Sequence, residues 1–347
     1  MELNDLFELC VQERASDIHL SAGYPPMLRQ HGEIRYLGME ELLDKHLAAM
    51  LEGCMSPTQQ KSYERSQECD FALETNHGRF RANTFFQQRG KAAVFRHIPN
   101  QVPTLEELKA PAVLRQIAEY PRGLVLVTGP AGAGKSTTCA AMLDWINETR
   151  AGHILTIEDP IEFIHPRKKC IVNQRELGAQ TSSFARALKS ALREDPNVIM
   201  IGELRDLETI RLALTAAETG HLVFGTLHTS GAAKAVDRII DVFPAGEKEL
   251  VRSMLAGSLR AIVSQILPRN KQGNGRVAAH EILVGTSAVR NLIRENKLQQ
   301  MAGLLQTGKE FGMQTLDQSL QELVCCGVVS LQTARTFADD PTKLAGG

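Results

Sequence analysis

Hydrophobic and polar positions change period twice along this chain. Leu3, Leu6, Phe7, Leu9 and Cys10 recur at helical spacing, and DIHLSAG then sets Ile18 and Leu20 between polar neighbours, the alternation of a half-buried strand. PPMLRQHGEIRYL reads as strand, His-Gly turn, strand. After a helical middle, CDFALETNHGRFRANTFFQQRGKAAVFRHIP is cut by turn signals at Asn76-His77-Gly78 and Arg89-Gly90 into three further strands. Residues 1–98 are therefore expected to form a small α+β domain around an antiparallel sheet.

Around Pro99 and Pro103 the pattern breaks, which predicts a linker over 99–108. From TLEELKAPAVLRQIAEY onward helical runs alternate with four short apolar runs, GLVLVTG, HILTIED, NVIMIGE and HLVFGTLHT. Strands separated by helices imply a mostly parallel sheet with both faces covered, so 109–347 is expected to be an α/β domain. Residues 286–339 return to helical periodicity with no further clear strand. In that tail Val289, Leu292, Ile293 and Asn296 fall on one side of a helix, leaving Arg290, Arg294 and Lys297 as a basic strip.

Composition narrows the class. Hydrophobic residues are 43% and charged residues 23% of 347, and no apolar run approaches the roughly 20 residues that span a bilayer. The first residues are acidic rather than basic-then-apolar, so a secretory signal is not expected and the reading is cytoplasmic. Seven cysteines without a C-x-x-C pair fit reduced thiols rather than zinc or disulfides. A net charge of −1 argues against nucleic acid as the partner.

Candidate chemistry starts at Gly129-Pro130-Ala131-Gly132-Ala133-Gly134-Lys135-Ser136-Thr137, a full match to G-x-x-x-x-G-K-[ST] with an apolar strand before it and a helix-forming run after it. In such a loop backbone N–H groups converge on phosphate oxygens, Lys135 reaches the β and γ phosphates of ATP, and the Ser136 hydroxyl holds Mg²⁺. Carboxyl ends of parallel strands gather in one crevice. Here the later strands end in Glu158-Asp159-Pro160-Ile161-Glu162, in Gly202-Glu203 and in His228. Hydrolysis needs one carboxylate to activate water and another to order the metal shell, and His228 could hydrogen-bond the γ phosphate. One feature is unexpected: NVIMIGELRD presents Gly202 where P-loop ATPases usually present an aspartate.

GPAGAGKST, TIEDPIEF, VIMIGELRD and GHLVFGTLHT, in that order, resemble the Walker A, Asp, Walker B and His boxes of the GspE/PilT superfamily of secretion and pilus ATPases. The resemblance implies a RecA-like core, a PAS-like N-terminal domain beginning at SDIHLSAGYPPMLRQHGEIR, and a homohexamer with ATP and Mg²⁺. It makes Glu203 the atypical Walker B acid and metal ligand, Glu162 the water-polarising base, and His221 and His228 the His-box pair. Arg81 and Arg96 fall where family members supply arginines to the nucleotide phosphates.

The segment AVRNLIRENKLQQMAGLLQTGKEFGMQTLDQSL is similar to the tail of the PilT family of pilus retraction ATPases. That implies pilin depolymerisation, twitching motility and a PilC-like platform protein at the inner membrane as partner. The other readings are an assembly or secretion ATPase, a retraction accessory paralogue or, more distantly, a RecA-like nucleic-acid translocase.

Overall fold

In the computed structural model, which describes residues 2–30, 32–98 and 101–345, the chain divides into two units, residues 1–101 and 102–347. The first is built on helix α1 (Leu3–Gln12), strands β1 (Asp17–Ser21), β2 (Met27–Gln30) and β3 (Glu33–Tyr36), helices α2 (Asp44–Cys54) and α3 (Pro57–Ser66), and strands β4 (Glu68–Thr75), β5 (Gly78–Gln87) and β6 (Gly90–Ile98). The six strands pair antiparallel in the order β3-β2-β1-β6-β5-β4. His31, half of the His-Gly turn expected between β2 and β3, lies outside the described residues.

Alternation sorts this sheet into two faces. On one, α1 lays Leu6, Phe7 and Cys10 against Phe80 and Phe95, with the Phe7 ring 4.3 Å from Phe80 and 5.2 Å from Phe95 between centroids. Across another row, Arg29, Asp17, Arg96 and Arg81 stand side by side on β2, β1, β6 and β5. Asp17 is 3% exposed and its carboxylate meets Arg96 Nε at 2.9 Å and Arg29 Nε at 3.9 Å.

The second unit runs α4 (Val113–Ala118), β7 (Gly123–Thr128), α5 (Lys135–Thr149), β8 (Gly152–Glu158), β9 (Cys170–Glu176), α6 (Phe184–Ala191), β10 (Val198–Ile201), α7 (Leu207–Glu218), β11 (Leu222–Leu227), α8 (Ala232–Asp241), α9 (Lys248–Ser258), β12 (Leu259–Ile266), β13 (Ala279–Val284), α10 (Ser287–Arg294), α11 (Met301–Thr307), α12 (Leu316–Cys325) and α13 (Leu331–Phe337). Its sheet order is β13-β12-β7-β11-β10-β8-β9, parallel except for β13. The strands β7, β10 and β11 are buried along their whole length, which explains their continuous Val/Ile/Leu runs.

Four strands were expected in this unit and seven are present among the described residues. The alternating edge strand β9 and the pair β12 and β13 are additional, and β12 starts at Leu259 directly after α9 ends at Ser258, so no turn residue separates the two periods. The tail also differs. Helix α10 buries Val289 and Ile293 but stops at Arg294, and Asn296 has left-handed backbone with φ 56°. Lys297 lies beyond the helix and pairs with Glu295 at 2.7 Å, while Arg290 is half-buried, so the three cations do not form one strip.

Candidate nucleotide site

Strand β7 delivers the chain into the glycine loop at its carboxyl end. Gly129 there has φ 145°, and a Cβ on it would come within 2.2 Å of the Gln265 carbonyl oxygen, so this position must be glycine. Gly132 (φ 74°) and Gly134 (φ 80°) also take left-handed backbone, and Gly134 is the residue before α5. Pro130, Ala131 and Gly132 form the exposed crown of the loop, whereas Ala133 is packed inside. The free N–H groups of the first turn of α5, which includes Ser136 and Thr137, therefore open toward the crevice with the positive end of the helix dipole.

Lys135 is 8% exposed and curls back over the loop: Nζ donates to Gly129 O at 2.9 Å and Pro130 O at 3.0 Å. Burial holds its ammonium below the usual lysine range, against the pull of Glu203, Cys139 and Glu162. His228, just past β11, stands between two charges, with Nδ1 3.4 Å from Lys135 Nζ and Nε2 3.4 Å from Glu203 Oε1. Glu203 Oε2 meets Arg205 at 2.7 Å. Burial pushes the Glu203 carboxyl up, but Arg205 and then His228 more than offset it and leave it below the ordinary range.

The glycine before Glu203 has a steric cause. Gly202 N–H donates to Ile157 O at 2.8 Å, and a Cβ at 202 would sit 3.2 Å from that oxygen and 3.3 Å from Glu158 Cα. With backbone of β8 on that side, an acid is accommodated one residue later, at Glu203.

Glu162 lies on the loop after β8, half-buried and close enough to Lys135 to bias its charge. Glu158 anchors that loop. It is 7% exposed, takes hydrogen bonds from Thr156 Oγ1 (2.6 Å), Gln174 Nε2 (3.2 Å) and the Glu162 N–H (3.4 Å), and burial raises its pKa. So Glu158 positions the loop that carries Glu162, while Asp159 is exposed.

Two residues that sequence reasoning missed support the glycine loop from behind. Thr138 Oγ1 donates to Gln265 Oε1 at 2.8 Å, and Gln265 Nε2 donates to Ala133 O. Both side chains are buried, and their separation of 127 positions left no signal in the sequence. Beside them Leu108, Ala110, Thr137, Leu267, Ala278 and His280 line a largely apolar cavity of about 140 Å³ that abuts Gly134.

His221 is not brought to this site. It precedes β11, pairs its backbone with Gly123 at the amino end of β7, and points Nδ1 at Ala216 O at 3.0 Å. The six residues of β11, roughly 20 Å of strand, separate it from His228. Arg81 and Arg96 belong to the first unit, where they face each other as cross-strand neighbours. The candidate ligands Ser136 and Glu203 suit Mg²⁺, which takes one or two protein oxygens and completes its shell with phosphate and water. Among the described residues no cluster of three or more His, Cys, Asp or Glu offers an all-protein cage.

Comparison with known proteins follows the same lines. The family described as "Type II/IV secretion system protein" matches residues 2–335. The chain is 56% identical to the "Type IV pilus retractation ATPase PilT" of Pseudomonas aeruginosa, over 98% of this chain and 99% of the relative. It is 60% identical to a "Twitching motility protein" of Neisseria gonorrhoeae, over 92% and 86%. The crystal structure of "the Pilus Retraction Motor PilT and Bound ADP" superposes with a TM-score of 0.91 at 45% identity, covering 99% of each chain.

Proposed function

The chain belongs to the Type II/IV secretion system protein family, and we infer on that footing that it is an ATPase that powers retraction of type IV pili, the motor of twitching motility. The observation that carries the reading is that His228 lies 3.4 Å from Lys135 on one side and 3.4 Å from Glu203 on the other, beside the glycine loop and the carboxyl ends of β10 and β11.

The residues divide the work. Backbone N–H groups of Ala131, Gly132 and of Gly134 to Thr137 cradle the phosphates of ATP, and the apolar cavity beside Gly134 takes the nucleoside end. Lys135 exchanges its two carbonyl partners for β and γ phosphate oxygens. Ser136 and Glu203 would hold Mg²⁺, which would supply charge neutralisation at the phosphates. Glu162 accepts a proton from the attacking water, and His228, already between Lys135 and Glu203, contacts the γ phosphate and senses its departure.

The second unit is read as RecA-like and the first as PAS-like; of the linker expected over 99–108, residues 99 and 100 lie outside the described residues. The motor works as a homohexamer in the cytoplasm against a PilC-like platform protein at the inner membrane; among the described residues no helix is long and apolar enough to cross a membrane. Deleting the gene tests the reading. Cells left with abundant pili that no longer retract support it, and normal retraction overturns it.

A further inference from the structure

At the amino end of β7, the end of the sheet opposite the glycine loop, three arginines gather without an acid. Strand β12 slips register against β7 between Leu259, opposite Leu124, and Ala261, opposite Val125. Arg260 is the extra residue of this bulge, a device that re-aims a side chain. Its side chain runs across Gly123, where a Cβ would lie 2.6 Å from Arg260 Cγ and 2.8 Å from Nε. Gly123, with φ 118°, is what lets it pass.

Arg260 is pinned there. Nε donates to Arg122 O at 2.9 Å and Nη1 to Gly257 O at 3.4 Å, while its own carbonyl accepts from Gly285 N at 2.7 Å and so draws in the start of α10. From α10 the half-buried Arg290 adds a guanidinium whose Nε is out of solvent and has no hydrogen-bond partner. Arg122 adds an exposed third. Burial, then Arg290 and Arg122, depress the Arg260 pKa, and the one group acting against them is Tyr120. Among the described residues none of the three arginines has a carboxylate within ion-pair distance.

Guanidinium stays charged in proteins, so three held together repel one another and leave donors unmet until an anion arrives. Fixed forks of this kind match a carboxylate or phosphate in a bidentate manner. A membrane surface is read by clusters of four to eight mobile cations. Here two of the three are recessed and one is tethered to backbone carbonyls, a geometry suited to an inserted side chain rather than to a plane of headgroups.

We propose that Arg122, Arg260 and Arg290 form a carboxylate-binding site that docks an acidic segment of a protein partner. The site shares no residue with the nucleotide machinery, so it stands or falls independently of the ATPase reading.

The test uses full-length protein and fluorescein-labelled hexaglutamate at low salt, followed by anisotropy. Saturable binding that weakens about tenfold or more in Arg260→Gln and in Arg290→Gln, with ATP turnover unchanged, supports the proposal. Arg260→Lys should recover part of the loss, since it keeps charge but not the fork. If Arg260→Gln misfolds, the exposed Arg122→Gln carries the comparison. Absent binding to the parent protein, or equal binding to all variants, overturns it. So does tight binding confined to inorganic phosphate, or to phosphatidylglycerol vesicles, because the site would then serve a phosphate rather than an acidic peptide.

Discussion

Thr138 and Gln265 are joined by a 2.8 Å hydrogen bond across 127 positions, and through it β12 holds the back of the phosphate loop. Gln265→Leu keeps the volume but leaves Thr138 Oγ1 and Ala133 O unpaired in a buried place, at about 1–3 kcal/mol each. The expected result is a lower unfolding midpoint together with a severalfold higher KM for ATP. A variant with both parameters unchanged would show that the loop holds its shape unaided.

Glu203→Gln and Glu162→Gln should each bind ATP and turn it over much more slowly, on the order of 10²-fold or more, since the phosphate cradle is untouched while metal ordering or proton acceptance is lost. Nucleotide affinity measured beside turnover separates the two effects. Normal turnover in Glu203→Gln would dismiss it as the acid that replaces the usual aspartate.

Restoring the common acid one residue earlier should fail. Gly202→Asp puts a Cβ 3.2 Å from Ile157 O, so the backbone there must give by a few tenths of an ångström, which is expected to shift Glu203. Turnover is expected to drop in this variant even though it gains a carboxylate, and a rise in turnover would refute the steric account.

His280 gives a pH dependence. Burial lowers its pKa from 6.5 to about 4. Above pH 6.5 both folded and unfolded chains hold it neutral; as pH falls toward 4 the unfolded chain takes up the proton first, so its contribution to stability, up to about 3 kcal/mol, is progressively lost. Urea midpoints at pH 7 and pH 5 should differ, and the difference should shrink in His280→Gln. An identical drop in parent and variant would assign the effect to other groups.

How far the sequence told this story depends on distance along the chain. The glycine loop and its flanking strand and helix were legible because consecutive residues encode them. Glu203 could be recognised beside its neighbour Arg205, yet its approach to His228 depends on strand order, which spacing does not reveal. Strands β9 and β12 escaped notice for different local reasons: β9 is an edge strand in which only Cys170 is fully buried, and β12 follows α9 without a turn. That His221 stands at the amino end of β11, away from His228, could have been read from strand direction, since only the carboxyl end of β11 faces the crevice.

The row Arg29, Asp17, Arg96 and Arg81 sets three positive charges against one negative and leaves an excess of two on the first unit's sheet. Because Arg96 is largely exposed, its outward pull on an anion is shared with dissolved ions and fades over about 8 Å at physiological ionic strength. The bond between Arg96 and the buried Asp17 carboxylate is screened far less. Salt therefore tunes how strongly this face attracts an anion while leaving the row that presents the charge in place.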